Sequence, residues 1–176
     1  MTRQNSPQLL PALILIVELT VGKALVSIPG LWQASVQRRR DLEFIPFHDF
    51  FLYDTPWIPL YYLIGNIVLF VPLGWALAIH THLRPALVFS GLTSVMIEVT
   101  QYIFAVGYTD INDVWQNILG AYLGFRLYQR AAAFANPDDP GRLARTPSRV
   151  QALQRTSTAI MWGLVGLVAV IYLLAR

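Results

Sequence analysis

The sequence predicts an all-α membrane protein: a polytopic transmembrane bundle of about five helices with one interfacial outer loop. Three observations carry that expectation. Hydrophobic residues make up 55% of the 176 positions and charged residues 13%, about half the charged share of an ordinary soluble domain. The mean hydropathy is +0.48. Five apolar stretches approach the roughly 20 residues that cross a bilayer at about 1.5 Å per residue. The same composition excludes a disordered chain and a nucleic-acid-binding basic domain. With no cysteine, it also excludes a disulfide-stapled module and any thiolate metal site.

The first stretch runs from Leu9 to Ile28 and stops at Pro29-Gly30. It is expected to stay as a helix, because Glu18 and Lys23 interrupt the apolar run. Leu25 also stands where a signal peptidase wants a small residue before a cut after Ser27. The second stretch runs from Trp57 to Ile79 and closes at His80, with His82 just beyond at the same boundary; the third runs from Pro85 to Val106. The fourth, Ile111–Tyr128, is the shortest and most polar, and the fifth runs from Ser157 to Ala175. The chain reads as one membrane domain over 1–176, with 131–156 a cytoplasmic basic linker and 157–176 a C-terminal transmembrane helix. The linker carries the turn-rich run Asn136-Pro137-Asp138-Asp139-Pro140-Gly141 and then Arg142, Arg145, Arg149 and Arg155.

Five spans put the termini on opposite faces. Arg3, Arg84, Arg126, Arg130, Arg142, Arg145, Arg149 and Arg155 share one side, against Arg38, Arg39, Arg40 and Arg176 on the other. The arginine-rich side is read as cytoplasmic, so the expectation is an inner (cytoplasmic) membrane protein with its N-terminus inside and its C-terminus outside. The outer loop between the first two spans carries Phe44, Phe47 and Phe51 at helical spacing, which suits the membrane interface.

Polar residues inside the spans converge on one level. Glu98 and Gln101 are three apart on the third helix, and Asp110, Asp113 and Asn117 form a stripe on the fourth. Asn66, the sole strongly polar residue of the second helix, lies nine residues in, or roughly 13 Å deep. Groups of this kind are expected to face the bundle interior. Their oxygens suit a hard cation such as Mg²⁺ or Ca²⁺, for which Glu98, Asp110 and Asp113 are the candidate ligands. Two carboxylates can also divide acid and base roles. The plainer alternative is that the asparagines join helices and that Asp110 and Asp113 cap the start of the fourth. Glu18, mid-helix, and the His48-Asp49 pair in the outer loop are secondary candidates. Gly120-x-x-x-Gly124 invites close helix packing.

Three blocks resemble the VanZ-like family. They are Glu43-Phe44-Ile45-Pro46-Phe47; Asn66 through Gly74, ending Phe70-Val71-Pro72-Leu73-Gly74; and Ser94–Gln101 joined to Asp110–Val114 and Asn117–Gly124. The resemblance covers about 38–130. It departs at Glu43 and Asn112, and at Val106-Gly107-Tyr108, where the family often has an arginine. It implies a cell-envelope membrane protein linked, in the family's namesake, to reduced teicoplanin sensitivity.

Three readings of the cluster stand. One is a non-catalytic site for an ion, a lipid head group or a glycolipid. Another is a metal-assisted intramembrane enzyme acting on an envelope lipid or polysaccharide intermediate. The third is a small scaffold packed through its glycines. No core histidine and no phosphate-binding motif supports the enzyme, and scaffolding alone does not need concentrated acidity. The partners expected are the lipid bilayer and a lipid or glycolipid ligand, with no nucleic acid.

Overall fold

The computed structural model describes residues 7–22, 33, 42–43, 54–106, 109–135 and 148–174. Five α-helices account for nearly all of them. Helix α1 (Leu9–Val17) is apolar and widens without a break into a π-helical stretch at Glu18–Gly22. Its expected continuation to Ile28 lies outside the described residues, as do Arg38–Arg40, Phe44, Phe47, His48, Asp49 and Phe51.

Helix α2 (Trp57–Ala78) holds Pro59 in its first turn, where a missing N–H costs nothing, and Pro72 in its interior. A tight turn follows, with the Thr81 and His80 amides donating to the Leu77 carbonyl at 3.0 Å each. Burial lowers the pKa of His80 at this turn. Helix α3 (Leu83–Phe104) ends at Ala105, in the left-handed conformation at φ 50°. The Val106 amide then reaches back to the Gln101 carbonyl at 3.1 Å, the closing bond of a Schellman cap. Helix α4 spans Ile111–Ala135 and α5 spans Ser148–Leu174.

Two helix ends differ from expectation. Helix α4 continues past Tyr128 to Ala135, and α5 begins at Ser148, well before Ser157. In both places good helix formers (Gln129, Arg130 and Ala131–Ala133; Gln151, Ala152 and Gln154) prolong the helix beyond its apolar part. Hydropathy alone does not see that extension. Among the described residues, α2, α3 and Val150–Leu174 are long and apolar enough to cross a membrane. Helix α4 has the length but carries the polar face.

The centre of the bundle is the pair α2 and α4. Atoms of Ile67 face Gly120 and atoms of Val71 face Gly124, so the two helices run parallel. A Cβ built on Gly120 or Gly124 would sit 2.0 Å from the carbonyl oxygen of Ile67 or Val71, and one on Gly74 would sit 1.9 Å from that of Ala121. Only hydrogen fits there, so backbone rests on backbone. Around this seam Phe70, Leu73, Leu77, Ala121, Phe125 and Tyr128 form the core, joined by Ala86 and Ile97 of α3, Ala12 and Ile16 of α1, and Met161 of α5. Helix α3 lies antiparallel against α4, and α1 bridges α2 and α5. Outward faces are apolar: Val68, Val88, Leu92, Met96, Leu167 and Leu173 are all exposed, a surface whose proper solvent is lipid.

One long-range feature is not helical. Residues Leu42–Glu43 (β1) pair in parallel with Thr109–Asp110 (β2), with Glu43 opposite Asp110. The loop ahead of α2 is thereby tied to the turn between α3 and α4.

The seam yields a sharp expectation. Gly74→Val or Gly120→Val should cost more than about 3 kcal/mol, because neither helix backbone can yield. Gly65→Ala and Gly163→Ala, whose Cβ atoms would meet nothing within 4 Å, should be neutral or stabilising. Thermal unfolding in detergent measures both pairs.

Candidate functional site

The close α2–α4 seam brings the polar residues above it into contact. The side-chain amide of Asn66 donates to Asp113 Oδ1 at 2.5 Å and to Gln116 Oε1 at 3.1 Å. Asp113 and Gln116 are three apart on α4, so one amide with two protons serves both acceptors on a single turn.

The α3–α4 junction is held by carboxylates. Glu98, buried near the end of α3, accepts the Asp110 backbone N–H on Oε2 at 3.0 Å. The Thr109 hydroxyl donates to the Glu98 carbonyl at 3.4 Å. Asp110 in turn accepts the Asn112 backbone N–H at 2.8 Å and the Asn112 side-chain amide at 2.9 Å, which makes it the N-cap of α4. Asn112 Oδ1 accepts from the Trp115 indole at 3.1 Å. Deeper in the bundle, Asn117 Nδ2 donates to Ser94 Oγ at 2.8 Å.

The candidates therefore divide. Asp110 takes the capping role, while Asp113 is held by Asn66 and Glu98 by the Asp110 amide. Among the described residues no three of His, Cys, Asp and Glu converge closely enough to hold a metal ion. Glu98, Asp110 and Asp113 each accept a hydrogen bond from a different polar group. Glu18 sits in the π-helical stretch against α5, where its backbone carbonyl accepts the Tyr172 hydroxyl. His48 and Asp49 lie outside the described residues.

Two buried side-chain acceptors have no hydrogen-bond partner among the described residues: Gln101 Oε1 on α3 and Asn117 Oδ1 on α4. Their residues are only 6% and 3% exposed. A buried carbonyl without a donor costs about 1–3 kcal/mol.

Sequence reasoning missed Gln116 and Trp115, and named Asn112 and Ser94 only within the family blocks, with no contact assigned to them. Gln116 was findable, since 113, 116, 117 and 120 complete the i, i+3, i+4, i+7 face of which only the i+4 line was followed. Likewise Ser90, Ser94, Glu98 and Gln101 make one buried polar stripe along α3. A second polar set joins the helices at the opposite end. Gln8 Nε2 donates to the Gln154 carbonyl at 3.2 Å, Gln154 Nε2 donates to the Tyr128 hydroxyl at 3.0 Å, and Tyr128 stacks edge-on to Trp75.

Comparison with known proteins places these features. The family model described as VanZ/LLP1 matches residues 9–133. That range takes in α1 and nearly all of α4, and so extends further toward the N-terminus than the sequence motifs indicated. The chain is also similar to Protein VanZ of Enterococcus faecium, at 38% identity over 69 residues, covering 38% of this chain and 43% of that protein. The matched region is thus less than half of the curated relative's length. No solved structure matches.

The Asn66–Asp113 contact is testable by a double-mutant cycle of Asn66→Ala and Asp113→Ala, read by unfolding in detergent. A coupling of about 1–1.5 kcal/mol is expected, toward the upper end for hydrogen bonds between membrane helices. A coupling near zero would mean that the two helices are held by the glycine seam alone.

Proposed function

The chain belongs to the VanZ/LLP1 family, and from that premise we propose that it is a cell-envelope protein of the cytoplasmic membrane that binds the polar head of an amphiphile in its outer half. In this reading the N-terminus is cytoplasmic and the C-terminus outside, and occupancy of the site sets sensitivity to teicoplanin-type glycopeptides. The described arginines Arg84, Arg126, Arg130 and Arg155 gather in one half of the bundle, which supports a cytoplasmic assignment for that half. The polar network then belongs to the outer half, within reach of the outer leaflet.

One observation carries the binding reading. A network built only to pack helices leaves no acceptor bare, because an unsatisfied carbonyl in a lipid-like interior is costly. Here Gln101 and Asn117 are both nine-tenths or more buried and each keeps a carbonyl oxygen with no described donor. They flank Glu98 and Asp113, so neutral and anionic acceptors lie together near the outer end. The outward-facing aromatics Trp57, Tyr61 and Tyr62 at the start of α2 suit the headgroup level where an amphiphile enters.

The test is genetic. Expressed in a glycopeptide-susceptible host, the wild-type chain should lower teicoplanin sensitivity. Glu98→Gln and Asp113→Asn should return it to the vector level at unchanged protein abundance. Full activity in both variants would overturn the reading. Orientation is checked separately: a periplasmic reporter fused after Arg176 should be active, and an inactive one contradicts the assignment.

A further inference from the structure

The end of the bundle away from the carboxylates has its own chemistry, and from it we propose that the outward face of α4 docks an anionic phospholipid through Arg126 and Arg130. Charge is segregated along the bundle. Glu18, Glu43, Asp54, Glu98, Asp110 and Asp113, the acidic residues among those described, all lie in the half that holds the α3–α4 turn. Arg84, Arg126, Arg130 and Arg155 are exposed and lie in the other half. Contacts between helices set them at similar levels. Gly91 of α3 faces Ile118 of α4, and seven residues further along this antiparallel pair, roughly 10 Å, Arg84 comes level with Phe125 and Arg126. On α5, Gln154 donates to the Tyr128 hydroxyl, so its neighbour Arg155 stands near that level too. No described carboxylate neutralises these arginines.

One stripe of α4 joins this charge to an apolar surface. Trp115, Leu119, Tyr122, Arg126 and Arg130 follow one another at spacings of three or four, so they share a face, and all are exposed. Arg126 is oriented on that face. Its Nη1 donates to Gln129 Oε1 at 3.2 Å, and its Cζ lies 6.0 Å from the centre of the Tyr122 ring, the outer limit of a cation–π contact. A guanidinium has about five N–H donors, so most of those on Arg126 stay available. Arg130, one turn on, makes no hydrogen bond or ion pair among the described residues.

The face selects its ligand. Guanidinium forks match the oxygens of a phosphate diester and grip them bidentately. A soluble anion would gain nothing from Tyr122, Leu119 and Trp115, which continue from the arginines toward the middle of the bundle and offer an acyl chain a surface. A zwitterionic lipid brings the same phosphate together with an ammonium, which arginines on three helices repel. What fits is a lipid whose phosphate carries its only charge, in the leaflet on the arginine side. Attraction of this kind between arginines and anionic lipids is worth roughly a factor of five for each charge. The proposal is independent of what the polar network of the other half binds.

Native mass spectrometry of the full-length chain tests it, with the protein released from nanodiscs of equal phosphatidylglycerol and phosphatidylcholine carrying matched acyl chains. The wild type should retain phosphatidylglycerol over phosphatidylcholine by about tenfold or more, as two arginines at about fivefold each require. Arg126→Gln combined with Arg130→Gln should erase most of that preference. Arg126→Lys combined with Arg130→Lys keeps the charge and should keep part of it. Arg155→Gln, on another helix, should leave most of it in place. Should the double glutamine variant fail to fold, Arg130→Gln alone, which removes no described contact, should still lower the preference about fivefold. Equal retention of the two lipids by the wild type would overturn the proposal. A preference that survives the glutamine variants, or that Arg155→Gln lowers as much as they do, would overturn it as well, because the lipid would then answer to the arginine-rich end as a whole and not to the face of α4.

Discussion

The polar network of the bundle depends on the contact of two backbones. Helices α2 and α4 run parallel and touch where Gly74, Gly120 and Gly124 leave no room for a Cβ. In lipid there is no hydrophobic gain from joining two apolar helices, so close van der Waals approach and polar contacts must hold them. The glycines supply the first. That approach fixes the register in which Asn66 meets Asp113 and Gln116 one layer above, and so makes the second possible. A wider seam would leave these three polar side chains reaching across a gap.

Above the seam, two carboxylates with similar spacing perform different tasks. Asp110 spends its oxygens on the backbone and side-chain amides of Asn112, starting α4 and complementing the positive end of the helix dipole. Glu98 receives the Asp110 amide, so α3 is clamped to the start of α4 through a group that is itself a cap. Pairing of Leu42–Glu43 with Thr109–Asp110 adds the preceding loop to the same junction. Two sequence blocks far apart along the chain, one before α2 and one after α3, thus meet at a single turn. That meeting gives a physical reason for their joint occurrence in the family pattern.

Much of this was legible in the sequence because it rests on helical periodicity. Composition indicated the membrane, and the spacing of Glu98 with Gln101 and of Asp113 with Asn117 placed those residues on facing helices. The glycine pair on α4 was read correctly as a site of close approach, though its partner was not named. What escaped notice lacks a periodic signature. A two-residue parallel pairing between distant segments cannot be read from local pattern. Helix ends that run past the apolar part, at Ala135 and Ser148, follow helix propensity rather than hydropathy. The different fates of Asp110 and Asp113 depend on which donors each meets, and Asn66 becomes a neighbour of Asp113 only once the chain has folded.

The central claim is that the buried acceptors Gln101 Oε1 and Asn117 Oδ1 are completed by a donor from outside the helices. An experimental structure in a lipid environment, resolved well enough to show head groups and water, tests it most directly. The account predicts a donor atom of a polar head group about 2.7–3.2 Å from Gln101 Oε1 or Asn117 Oδ1. Density there for an acyl chain alone, or for protein atoms that already satisfy both oxygens, would contradict it.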